Sequence, residues 1–254
     1  METGAITQYI DVAQIVLYMF WAFFAGLIYY LLRENHREGY PMDSGREKGP
    51  KIEGWPPVPE AKEFHTQDGH TYLSPDLNRP DGEYNAKPMH GWNGAPLEPL
   101  GDPLLAGVGP GAWAMRADTP DMDPHGHPKI VPLRVATDHS VAKHDVDPRG
   151  LPVWGADKEV AGTVVDLWVD RMEMMFRYAE VQLKNSEQRV LLPMTFARVK
   201  KDGAHVQAIL SHQFANVPKT KSDQQITLLE EEKITAYYGA GTLYATPERQ
   251  EPLI

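Results

Sequence analysis

The sequence contains no cysteine. A disulfide framework, a thiolate metal site and cysteine-nucleophile chemistry are therefore closed to it. Positive charge is also scarce: 25 Lys and Arg stand against 35 Asp and Glu, a formal net charge of -10. No basic face is available for phosphate backbones, which excludes nucleic acid as a partner. A phosphate-binding glycine loop, a nucleophile elbow and an HExxH metal helix are all missing. Gly107-Val108-Gly109 lies in proline-rich chain without the strand-to-helix setting that such a loop needs, and the sequence has no internal repeat.

What is present begins with a long apolar run. Val12 to Leu32 carries no charge and one strongly polar residue, Gln14. At 1.5 Å per residue such a helix reaches about 30 Å, the thickness of the bilayer hydrocarbon. A soluble core helix seldom runs this far without a charge. The first eleven residues hold Glu2 and Asp11 but no Lys or Arg, and no small-residue cleavage site follows, so an uncleaved anchor is expected rather than a signal peptide. Arg33, His36 and Arg37, then Arg46, Lys48 and Lys51, follow the run and place its C-terminal end in the cytoplasm and the N-terminus outside. Tyr29 and Tyr30 stand where an interfacial aromatic belt is expected, and Tyr30, Arg33 and Arg37 are candidates for lipid contact.

Beyond the anchor, 22 prolines and 21 glycines concentrate before about residue 155 and disfavour helix. Trp55, Phe64, Tyr72, Tyr84, Trp92 and Trp113 recur there, which a disordered linker rarely affords. Extended chain ordered against another surface is expected. From about Pro132 short β runs take over. Val165, Leu167 and Val169 alternate toward one face; Gly155-Ala156-Asp157 and Gly162 punctuate the preceding hairpin; Phe176–Leu183 and Val190–Met194 read as further strands. A tight turn through Val199–Gly203 leads to a strand His205–Leu210. Such spacing predicts a small antiparallel barrel or sandwich. Thr227-Leu228-Leu229-Glu230 reads as a capping box for a helix to about Tyr244, in which Gly239 and Gly241 imply close packing.

Several motifs in one order carry a resemblance to a family. Phe23-Phe24-Ala25-Gly26-Leu27-Ile28 followed by Arg37-Glu38-Gly39-Tyr40-Pro41, then Gly101-Asp102-Pro103, Gly107-Val108-Gly109-Pro110, His125-Gly126-His127, Gly150-Leu151-Pro152-Val153 and Leu228-Leu229-Glu230-Glu231-Glu232-Lys233 are similar to H subunits of the purple-bacterial photosynthetic reaction centre. These motifs lie outside Asp43–Asn85. The resemblance implies one transmembrane helix and a mainly β cytoplasmic domain, a small antiparallel PRC-type β-barrel with a C-terminal helix. The segments are then a periplasmic N-terminus (1–11), the membrane helix (12–32), a Pro/Gly-rich membrane-surface stretch (33–111) and the cytoplasmic domain (112–254).

It also implies a subunit without an active site or cofactor of its own, in the bacterial inner (intracytoplasmic) membrane. Such a subunit caps the L and M subunits, which carry bacteriochlorophyll, bacteriopheophytin, quinones and non-haem iron. A cytochrome subunit and a light-harvesting 1 ring are further candidates for the same assembly.

Reduction of a secondary quinone to quinol consumes two protons, so the cap must shed water yet admit protons. An imidazole is the side chain suited to proton entry, and His125 and His127 would point the same way on extended backbone, with Asp123 as acceptor. The pair is also a weak candidate for a surface metal, and equally what a solvated loop beside Pro124 and Pro128 carries. Asp170 and Glu173, with Arg177 on the next strand, read on sequence as a solvated turn. In H subunits the matching positions lie near the secondary quinone, where burial and neighbouring carboxylates would raise one acid toward neutrality. The competing functions are a membrane-tethered PRC-barrel adaptor for a soluble partner and a membrane-anchored hydrolase.

Overall fold

Asp11 caps the first helix, its carboxylate accepting from the Gln14 amide at 2.8 Å, and α1 then runs Val12–Asn35. Its 24 residues extend about 36 Å, enough to cross about 30 Å of hydrocarbon. Every side chain from Val12 to Arg33 is exposed within this chain, as expected of a helix whose solvent is lipid or another helix. The expected helix is present, long and apolar enough to cross a membrane, and it continues three residues past Leu32. The computed structural model describes residues 11–39, 54–67, 69–76, 82–92 and 95–250. Arg46, Lys48, Lys51, Tyr40, Pro41 and the expected periplasmic residues 1–10 lie outside that set.

Two compact units divide the chain, Met1–Asp81 with His90–Pro96 and Gly82–Met89 with Leu97–Ile254. In the first, β1 (Lys62–His65) pairs antiparallel with β2 (Thr71–Ser74), Phe64 opposite Tyr72. In the second, β3 (Ala86–Pro88) and β4 (Leu97–Pro99) form a short hairpin. The expectation of extended segments joined by turns holds for the described part of the proline-rich stretch.

The remaining strands are β5 (Ile130–Pro132), β6 (Pro152–Trp154), β7 (Val160–Asp170), β8 (Met175–Leu183), β9 (Arg189–Pro193), β10 (Ala197–Lys200) and β11 (Gly203–Val206). They form one sheet in the order β10-β11-β6-β7-β8-β9, with β5 beside the far end of β7. The β6–β11 pair is parallel and the others are antiparallel, and β9 and β10 terminate the path. One turn of 3-10 helix at Met194–Phe196 joins those two end strands directly. Helix α2 (Leu228–Tyr244) begins at the expected box: the Thr227 hydroxyl accepts from the Glu230 amide at 3.1 Å, and Glu230 accepts from the Thr227 amide at 2.9 Å.

Two sequence expectations change. Val164 faces Val181 and Asp166 faces Glu180, which leaves Val165 as the extra residue of a β-bulge. The bulge resets the alternation, so Val165 does not share the buried face of Leu167, and β7 is buried on both sides from Asp166 to Asp170. The strand predicted over 205–210 stops at Val206, although Ala208 and Ile209 stay in the core.

Leu167, Ala179, Val181, Leu192, Phe214 and Ile234 are almost fully buried. Each large apolar side chain so buried contributes about 1.5–3 kcal/mol. Tyr238 of α2 lies between the rings of Phe196 and Phe214, at 5.7 and 6.0 Å. Gly239 and Gly241 permit the expected close approach. A Cβ on the first would stand 2.6 Å from the Pro110 carbonyl, and one on the second 2.5 Å from the Ala208 carbonyl and against Ile209. On the other face of β7 and β8, Glu180 accepts from Arg134 at 2.5 Å, the Trp168 indole at 3.0 Å and Arg189 at 3.1 Å, while Arg134 also reaches Asp166 at 2.9 Å. The buried carboxylates are thus paired, which is what makes their burial tolerable.

Candidate functional site

The β7–β8 hairpin ends in a turn organised by one buried carboxylate. Asp170 Oδ1 accepts from the Met172 and Glu173 amides at 3.0 Å each, and Oδ2 accepts from Arg177 Nε and Nη2 at 3.3 and 3.4 Å. Arg177 Nη2 also reaches Glu173 Oε2 at 3.1 Å. A second bulge allows this. Trp168 faces Tyr178 and Val169 faces Phe176, so Arg177 is the unpaired residue, and a bulge re-aims the side chain it carries. The structure therefore joins the three predicted residues, with Asp170 buried and Glu173 exposed.

These groups line a cleft of about 380 Å³ that also takes in Arg116, Asp121, Lys129, Tyr178, Glu231 and Glu232. Lys129 pairs with Asp121 at 2.7 Å, and Arg116 with Glu232 at 3.5 Å. Tyr178 donates to Glu231 Oε2 at 2.8 Å. Burial pushes the Glu231 carboxyl above the ordinary carboxylate range, against the opposing pull of Tyr178, Arg177 and Arg116. Burial and the neighbouring Glu231 also push the Tyr178 phenol up, so it stays protonated and acts as a donor. A carboxyl raised toward neutrality beside fixed cations can take up and release a proton.

The histidine loop differs from the expectation of extended backbone. Asp123 N donates to His127 O at 2.8 Å, Gly126 N to Asp123 O at 3.0 Å, and Gly126 adopts φ +82°, which makes a tight turn. Asp123 Oδ1 accepts from the His125 and His127 amides at 2.8 Å each. The His127 ring stands 3.4 Å from Asp123 Oδ2. The amide of His127, with that of His125 and the His127 ring, holds the Asp123 carboxyl below its ordinary range, so Asp123 stays ionised and fixes the turn. No group of three His, Asp or Glu side chains placed for a metal occurs among the described residues. The same loop returns past the cleft: Lys129 N donates to Asp121 O at 2.9 Å, so its base lines the cleft and its tip carries both histidines.

At the anchor, Tyr30 and Arg33 are exposed at the end of α1. Arg37 donates to Glu34 at 2.8 and 3.2 Å, to Ser74 O at 3.1 Å and to Glu60 O, so four of its five N–H donors are used within the chain.

Sequence reasoning did not reach Glu231, Tyr178, Asp121 or Lys129 as members of the cleft. Glu231 is in the first turn of α2, where the helix dipole alone accounts for an acid. Its signal was the excess of three consecutive glutamates over what one capping box uses.

The chain combines a helix long and apolar enough to cross a membrane with a mainly β domain that holds an acid-lined cleft, and residues 141–213 match the PRC-barrel domain. Residues 4–135, just over half of the chain, match the photosynthetic reaction centre H-chain N-terminal region. The chain belongs to that H-chain family, a structural subunit of an electron-transfer complex.

Proposed function

We propose that this chain caps the cytoplasmic side of the L and M subunits, shields their quinone sites from bulk water, and passes protons toward the secondary quinone. Its N-terminus lies in the periplasm and its β domain in the cytoplasm, as the basic residues Arg33 and Arg37 after α1 favour. The pigments, quinones and non-haem iron belong to the partner subunits. One observation carries the proton role: Glu231, with its raised pKa, shares a cleft with the Asp170–Arg177–Glu173 cluster. In this reading protons enter at His125 and His127, move along the loop to its base at Asp121 and Lys129, and reach the carboxylates of the cleft. Asp123 serves as the anchor of the turn. Arg177 holds Asp170 and Glu173 at fixed positions and limits the repulsion between them.

The test is to tag the chain, extract native membranes in mild detergent and record the near-infrared spectrum of what co-purifies. Bleachable bacteriochlorophyll bands with two larger hydrophobic subunits are expected. A stably folded, pigment-free preparation would refute the reading in favour of a tethered adaptor.

A further inference from the structure

Trp55 is 77% exposed, yet its ring lies 5.8 Å from that of Tyr29 on α1. Tyr29 is six residues before the end of α1 at Asn35, about 9 Å along the axis. The segment that follows Trp55 is tied to the same helix end at several points. Arg37 donates to the carbonyls of Glu60 and Ser74, Lys62 pairs with Glu34 at 2.6 Å, and the Ser74 hydroxyl reaches the Arg37 carbonyl at 3.4 Å. Residues 55–67 and 69–74 thus form a strap whose two ends are held at the level where the helix leaves the hydrocarbon.

That strap exposes apolar surface that nothing among the described residues covers. Phe64 and Tyr72 share one face of the β1–β2 hairpin at 49% and 57% exposure, and Leu73 lies on the other at 46%. The charged groups beside it, Glu34, Arg37 and Lys62, are paired in one network in which two cations share one carboxylate. An indole ring and a phenol at the end of an apolar helix, with a net-positive ionic cluster just beyond, match the polarity gradient of a bilayer interface with phosphate headgroups. A second protein would need no such gradient.

We propose that Trp55 is a second interfacial anchor, its ring seated at the boundary of headgroups and acyl chains beside Tyr29, so that the hairpin lies on the lipid surface. The proposal rests on α1 spanning the membrane, and Trp21 within α1 reports on that separately. The experiment reconstitutes the full chain in lipid nanodiscs whose acyl chains carry bromine either near the headgroup or deep in the bilayer. Tryptophan quenching is compared in the wild type, Trp55→Phe, Trp21→Phe and Arg37→Gln.

Trp55→Phe is expected to remove the component quenched by shallow bromine, and Trp21→Phe the component quenched by deep bromine. Arg37→Gln, which releases the strap but keeps the indole, is expected to weaken the shallow component. Loss of the deep component in Trp21→Phe with no change in Trp55→Phe would overturn the anchor while leaving the span intact. If no tryptophan is quenched by bromine at either depth, the span fails and the anchor with it.

Discussion

Tyr178 and Glu231 meet at 2.8 Å, tying β8 to the first turn of α2 across the floor of the cleft. The phenol donates to a carboxyl that burial has pushed upward, so the contact is retained in both protonation states of Glu231. Because the folded pKa exceeds the unfolded value, the stabilising contribution is full below the ordinary glutamate value of about 4.3 and is lost as pH rises through the folded value. Glu231→Gln cannot ionise and still accepts from Tyr178. Thermal melts of the full chain in detergent should show the variant gaining on the wild type as pH rises through that window, whereas a gap independent of pH would contradict the burial argument.

Asp123 behaves with the opposite sign. Its folded pKa is depressed by the amides of His127 and His125, so its contribution is present above the unfolded value of about 3.9 and is lost as pH falls through the folded value. Asp123→Asn should therefore destabilise the turn at neutral pH, with the deficit closing in acid. Hydrogen exchange at Gly126 and His127 reads this directly.

Arg134 is the shared partner of two buried carboxylates, Asp166 and Glu180. Arg134→Leu removes the ion pair of Asp166 and one of the two cations on Glu180, which keeps Arg189 and the Trp168 indole. Because Arg134 is about one-third exposed, the expected cost is about 2–3 kcal/mol, below the upper range for an orphaned buried charge. Chemical denaturation of the full chain measures it, and a change within about 0.5 kcal/mol, typical of a neutral surface substitution, would show that water replaces the pair.

Gly241→Ala sets helix propensity against packing. Alanine gains about 1 kcal/mol in an unconstrained helix, but here its Cβ meets the Ala208 carbonyl and Ile209. Overpacking costs about 1–3 kcal/mol, so the net change in denaturation free energy should be destabilising. A more stable variant would mean that α2 shifts freely against the 208–209 segment.

Much of this was legible in the chain because it depends on local patterns. The charge-free run fixed α1, and Thr227 with Glu230 marked the start of α2 to the residue. Asp170, Glu173 and Arg177 are close in sequence and read as a turn; only the family resemblance marks that turn as a site. What escaped notice depends on register. Two β-bulges, at Val165 and Arg177, change which face each later residue occupies, and no alternation rule locates a bulge in a valine-rich strand. The turn at Asp123–His127 was masked by a His-Gly-His spacing that an extended strand would also satisfy. Glu231 joins the cleft only because α2 folds back over β8, a contact between residues 53 apart in sequence.

Glu173→Gln tests whether the cleft carries protons to the secondary quinone, as proposed. Flash-induced kinetics of the second, proton-coupled electron transfer would be recorded in the intact complex, with the near-infrared spectrum confirming assembly. Slowing by roughly tenfold or more is expected, below the 10²–10⁴ typical of a positioned proton-transfer group because Asp170 and Glu231 share the cleft. Wild-type rates in Glu173→Gln, in Asp170→Asn and in the double substitution of His125 and His127 would contradict it.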